Sequence, residues 1–232
     1  KSEKELLHYK ATGGNAIVDA QPVGCGRLAD GLARLSNVTG IKIVASTGFH
    51  KLIFYPNDAF VFSASEDELT DLFASEVEVG TFSDSIDGRG PFEKRSSVRA
   101  GIIKGASDGR DIRGEDADLT LYRRLFRAVG RAATRTGAPV LTHLEMGRGF
   151  EGQVEALFET GVRRRQIILC HLDRQIDLNA FAYYYSAGFS GCWLELDTIG
   201  RFKYHDDDLE ARFIAKLCEN GFDDQILLGT DS

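Results

Sequence analysis

Seven short apolar runs recur along the chain, and most are separated by segments of helical periodicity. The runs are NAIVDA (15–20), IKIVAST (41–47), RAGIIKGAS (99–107), PVLTHLE (139–145), QIILCHLD (166–173), CWLELD (192–197) and QILLGTD (225–231). They are continuous instead of alternating, and the first is rich in β-branched residues, which is the pattern of strands buried on both faces. Between them, apolar residues at three- and four-residue spacing predict helices over 28–40, 66–80, 119–137, 150–161, 178–188 and 207–221. Several of these close on a glycine, as helices commonly do. The region after 47 reads as a long irregular stretch, and KELLHYK near the start reads as charged helix. Strand and helix in alternation predict an α/β fold with a parallel sheet, either an open doubly wound sheet or most of a (β/α)8 barrel.

The strand tips favour the barrel. Asp19, Lys104, His143, His171, Asp197 and Asp231 all fall at or near the end of an apolar run. In a barrel, catalytic groups come from the C-terminal ends of several strands. No GxGxxG follows the first run, so a dinucleotide site has little support.

Composition narrows the functions. The 232 residues carry a net charge of -7, which disfavours nucleic acid and anionic membranes as partners. No apolar stretch is long enough to span a bilayer, and the N-terminus lacks the apolar core of a secretory signal. The cysteines at 25, 170, 192 and 218 are too widely spaced for a zinc knuckle. They read as free buried thiols of a cytoplasmic protein. With no linker or break in composition, residues 1–232 read as one domain.

His143 and His171 occupy matching positions on consecutive runs, and Asp231 holds the same level on the last. A single histidine there is more often a hydrogen-bonded core residue. Two imidazoles with a carboxylate suit zinc, manganese or cobalt. Lys104 admits three readings. It is an ion-paired structural lysine, a Schiff-base nucleophile with a pKa depressed by burial, or a lysine carbamate that bridges metals.

The ordered segments IVDAQPVGCGR, ASTGFH, AGIIKGAS, RLFRAVGRAATRTGAPVLTHLEMG, ILCHLDR, LELDTIGR and ILLGTD resemble the phosphotriesterase family of the amidohydrolase superfamily. Within it, the likeness is to lactonases acting on sugar lactones, some of them phosphorylated. The resemblance implies a cytoplasmic, homodimeric (β/α)8 TIM barrel with two divalent metals, zinc foremost and manganese or cobalt as alternatives. It makes Lys104 a bridging carbamate formed with carbon dioxide, with His143 and His171 ligands of one metal. Asp231 becomes a ligand of the other and the catalytic proton acceptor. A metal-bridging hydroxide would open a small-molecule lactone, with phosphotriesters or aryl esters as side substrates. The family's first-strand His-x-His pair is not found in the sequence. That departure leads to the expectation that the first strand and last helix of the barrel lie outside the chain.

Candidate substrate contacts follow from the loops. His50 stands where many related lactonases carry a tyrosine, and Lys51 and Tyr55 share its loop. Arg201 and Lys203 lie in the loop after the 192–197 run, where they can grip a phosphate. Asp206–Asp208 is expected to start the next helix, and Arg163–Arg165 to lie on the opposite face of the barrel. Glu145 and Asp173, each two residues beyond a histidine, are expected to orient the imidazoles or line the pocket. Two other functions remain open on sequence: a Schiff-base aldolase built on Lys104, and a non-catalytic barrel without metal.

Overall fold

The apolar runs pair in the order in which they occur. In the computed structural model, which describes residues 2–231, β1 (Ala16–Asp19), β2 (Lys42–Gly48), β3 (Ala100–Ala106), β4 (Val140–His143), β5 (Ile167–Cys170), β6 (Trp193–Leu196) and β7 (Ile226–Leu228) form one sheet. Every neighbouring pair is parallel. The sheet curls into a half-barrel, with β1 and β7 at its two edges. Exposed apolar side chains mark those edges, Val18 on β1 and Leu228 on β7.

Helices fill the connections: α1 (Ser2–Ala11), α2 (Ala29–Thr39), α3 (Phe60–Ser63), α4 (Glu66–Glu78), α5 (Ala117–Thr136), α6 (Phe150–Glu159), α7 (Ala182–Phe189) and α8 (Asp207–Glu219). Their limits come from local chemistry. Ser65 and Glu68 form a reciprocal capping box at the start of α4. The Asp116 side chain accepts from Leu119 N–H at the start of α5, and Gly137 ends that helix in the left-handed region. Asp206 caps α8 and Asp207 and Asp208 lie in its first turn, so the acidic run does start a helix. None of the described helices is long and apolar enough to cross a membrane.

The inner face of α5 shows how the core is built. Leu125, Phe126, Val129 and Ala133 are fully buried against the sheet. The Phe126 ring meets Phe49 edge-on at 5.3 Å. Gly48, at the tip of β2, has φ +96°, and a Cβ there would lie 2.0 Å from the Lys104 carbonyl. Only glycine allows β2 to approach the lysine-bearing strand this closely. A second organising element is a buried ion pair. The Arg27 guanidinium donates to both Glu76 oxygens at 2.6 Å, and both side chains are fully buried. Arg27 also donates to Ser46 O, Phe82 O and Ser85 Oγ, tying the β1–α2 loop to β2 and the segment after α4.

The four cysteines are free thiols, but only Cys170 and Cys192 are buried; Cys25 is partly buried and Cys218 is exposed.

Candidate metal centre

The parallel register brings the strand-tip residues together. Lys104 pairs with Leu141 across β3 and β4, and His143 with Cys170 across β4 and β5, which puts Lys104, His143 and His171 on adjoining strand ends. The His143 and His171 rings lie 4.6 Å apart, nearly perpendicular. His171 and Asp231 sit one and three residues beyond β5 and β7 and have φ of 68° and 41°. Two of the three positive-φ non-glycine residues among those described are therefore candidate ligands. Such backbone strain is concentrated at functional sites.

Both imidazoles are kept neutral. Burial lowers His143 to about 3, helped by the neighbouring His171, and burial and the Arg174 charge lower His171 to about 3. Neutral imidazole is the form that binds metal. Lys104 is also buried, and desolvation lowers its pKa. It forms no ion pair with any described residue, so the reading of a simple salt-bridged lysine finds no partner here.

The carboxylates divide differently from the sequence expectation. Glu145 Oε2 lies 3.0 Å from His143 Nε2 and accepts from Lys51 Nζ at 2.5 Å. These bonds hold Glu145 at about 2 against the opposing effect of burial. Asp173 does not reach His171; its Oδ2 accepts from the Thr198 N–H and hydroxyl. The partner of His171 is instead Asp197, whose Oδ2 lies 2.5 Å from Nδ1 without the alignment of a hydrogen bond. Burial and the Asp231 charge raise Asp197 to about 7. His171, Asp197 and Asp231 present ligand atoms within 4.8 Å of one another, a grouping able to hold a cation.

Asp231 is gripped by two guanidiniums. Arg174 Nη2 and Arg201 Nη1 each donate to its Oδ2 at 2.5 Å. Burial raises its pKa, but the Arg201 bond and the Arg174 and Arg201 charges outweigh this and keep it below the usual range. Tyr204 packs beneath Arg174, Arg201 and Lys203. Arg174 was not among the residues singled out from sequence. Its one signal there is its place just after the ILCHLD run.

His50 lies 5.5 Å from the His143 ring and packs edge-on against Phe54. Its Nδ1 accepts from Lys51 N–H at 2.7 Å, so the neutral ring carries its proton on Nε2. Burial and the Lys104 charge lower His50 to about 2. Tyr55 corrects the expectation of a substrate contact. It is buried, its hydroxyl donates to Val23 O and accepts from His50 N–H, and it supports the His50 loop from behind. A pocket of about 460 Å³ opens beside His50, lined also by Gln21, Cys25, Phe54, Ile86 and Asp87. It is the size of a small-molecule site. Arg164 and Arg165 precede β5 at its N-terminal end and bond to Ser190 O and Asp224, away from this cluster.

A family model for the phosphotriesterase family matches residues 2–232. The chain belongs to the phosphotriesterase family. Its relatives within the family include a phospho-furanose lactonase of Mycoplasmopsis synoviae, 30% identical over 100% of this chain and 64% of that protein. A human N-acetyltaurine hydrolase is 28% identical over 99% of this chain and 62% of its own length. Among solved structures, a lactonase from Listeria monocytogenes superposes with a TM-score of 0.83 at 26% identity, covering 99% of this chain and 68% of that one. An amidohydrolase from Mycoplasma synoviae gives 0.84 at 28% identity, covering 99% and 64%. The chain spans 58% to 64% of the length of the first three relatives it matches.

Three desolvated histidines, His143 and His171 buried and His50 partly buried, make stability depend on pH in the metal-free protein. Their unfolded pKa is near 6.5, and their folded values are about 2 to about 3. Above about pH 6.5 they are neutral in both states. As pH falls below that, the unfolded chain takes up protons that the folded chain refuses, and stability is lost. Each histidine contributes a slope of up to about 1.4 kcal/mol per pH unit. Urea midpoints measured between about pH 7 and about pH 5 should fall with pH, and His50→Gln should flatten the fall. An unchanged slope in His50→Gln would show that His50 is not held neutral.

Proposed function

We propose that the protein is a metal-dependent hydrolase that opens lactones, with sugar lactones carrying a phosphate as the foremost substrates. The observation that carries this reading is the convergence of two neutral imidazoles and Asp231 beside a buried lysine that has no ion-pair partner among the described residues. This set fits the metals of the family. His143, His171 and Asp231 would hold divalent ions, and Lys104, as its carbamate, would join them. The lowered pKa of Lys104 supports that assignment, because carbamate forms on the neutral amine. When bound, divalent metals acidify a water and polarise a carbonyl.

The chain's own residues supply the rest. Asp231 takes the proton of the attacking water and returns it to the ring oxygen that leaves, so Asp231 ends as it began, and the carboxylic acid formed releases its own proton to solvent. His50 offers its Nε2–H to the substrate, and Lys51 braces Glu145 against His143. Arg174 and Arg201 neutralise Asp231 in this arrangement. With Asp231 engaged by metal, their donors and Lys203 serve an anionic group on the substrate. The names of the lactonase relatives support the substrate class, and the same chemistry extends to aryl esters and phosphotriesters as side substrates. The edges at β1 and β7, with Val18 and Leu228 exposed, support closure of the sheet by an eighth strand into a (β/α)8 barrel.

Chelation tests this reading. The full-length protein, treated with chelator, should lose lactone hydrolysis and regain it with zinc, manganese or cobalt. Activity that survives complete metal removal would contradict it. Borohydride trapping of a keto substrate on Lys104 would instead favour the Schiff-base alternative, which shares the depressed lysine.

A further inference from the structure

Behind the strand-tip centre lies a second cluster, made by Asp173 after β5, Thr198 and His205 after β6, and Glu210 in α8. Asp173 and Thr198 are fully buried, and Glu210 is 2% exposed. His205 Nε2 lies 2.8 Å from Thr198 Oγ1 and 3.1 Å from Glu210 Oε2. Thr198 Oγ1 lies 2.7 Å from Asp173 Oδ2 and 3.4 Å from Glu210 Oε2. Ligand atoms of Asp173, His205 and Glu210 fall within 4.8 Å of one another.

Counting hydrogens exposes a deficit. His205 Nδ1 lies 3.0 Å from Asp206 O, a carbonyl that can only accept, so Nδ1 carries a proton. In neutral His205 the Nε2 is then a lone pair, aimed at Glu210 Oε2 and at a threonine hydroxyl with one proton to give. That proton cannot serve both Asp173 and His205. Asp173 Oδ1 and Glu210 Oε1 are buried and have no hydrogen-bond partner among the described residues. A divalent cation would balance both carboxylates and accept the imidazole lone pair.

We propose that Asp173, His205 and Glu210 form a separate binding site for a zinc-class divalent cation, placed behind the catalytic cluster. The donor set of one imidazole and two carboxylates suits zinc or manganese. The 3.1 Å separation of His205 Nε2 and Glu210 Oε2 is close to the ~3.3 Å edge expected for a tetrahedron with bonds of ~2.0 Å. The ligands come from the turn after β5, the loop between β6 and α8 and the first turn of α8, so the cation ties down the loop that carries Arg201 and Tyr204. Its role is to hold that loop, and it takes no part in bond cleavage. The site stands whether or not the strand-tip cluster is catalytic.

Zinc itself is the probe. Native mass spectrometry of the full-length protein should count one more zinc ion per chain in the wild type than in Glu210→Gln or His205→Gln. The same difference should persist in a His143→Asn/His171→Asn background, which removes strand-tip ligands. Equal zinc counts in wild type and both variants, each shown to be folded by near-ultraviolet circular dichroism, would overturn the proposal. A second readout needs no variant. In histidine-labelled wild-type protein loaded with zinc, the ¹⁵N shift of His205 Nε2 should be that of a metal-bound nitrogen. A doubly protonated imidazole at the same position would overturn the proposal as directly.

Discussion

Asp231→Asn is expected to lower kcat for lactone hydrolysis by about 10²–10⁴-fold, the range for losing a positioned proton-transfer group. The amide keeps the shape of the side chain and cannot take a proton. It also removes the charge that Arg174 and Arg201 share through 2.5 Å contacts. KM for a phosphorylated lactone should change little, because in the metal-loaded enzyme both guanidiniums already serve the anionic group of the substrate. The combination of a large fall in kcat with an undiminished affinity distinguishes a proton-transfer role from simple unfolding. Steady-state kinetics on the metal-loaded variant make the measurement. A variant that retains most of the wild-type kcat would remove Asp231 from the chemistry.

The largest effect on stability is expected at Arg27. Arg27→Met should cost about 3–5 kcal/mol, because it strands Glu76 as an uncompensated charge in a fully buried site. Glu76 also accepts from Phe82 N–H, so the loss reaches the segment after α4. The double variant Arg27→Met/Glu76→Leu should recover a large part of this, since replacing both partners by apolar groups removes the stranded charge. Urea denaturation of the two single variants and the double variant gives the coupling energy. Additive losses across the cycle would show that the pair does not act as a unit.

The strands were legible because a buried parallel strand must be apolar on both faces, and all seven runs became strands. Their ends were less legible. The sequence pattern carries the fifth run through His171 and the seventh to Asp231, but both residues leave the ladder with positive φ. The apolar period says nothing of that turn. His143, His171 and Lys104 stood out because a polar side chain inside an apolar run needs a reason. Asp197 was visible as a strand tip, but its pairing with His171 depends on how β6 lies against β5, and Asp173 competed for the same role on spacing alone. Arg27 and Glu76 are 49 positions apart. Arg27 sits in a glycine-rich segment that reads as loop, so nothing local announces a buried ion pair. Tyr55 was a candidate substrate contact only because it shares the loop of His50, and its hydroxyl is used by two backbone groups. The cluster of Asp173, His205 and Glu210 joins three segments, and its histidine sits in a charged stretch that reads as solvated.

The central claim is that Lys104, His143, His171 and Asp231 hold metal. Diffraction from crystals of the full-length protein grown with zinc, recorded at the zinc edge, tests it most directly. The account predicts anomalous peaks within bonding distance of both imidazoles and Asp231, with carbamate density continuing from Lys104 Nζ. A bare ammonium at Lys104, with no anomalous peak beside either histidine, would contradict it.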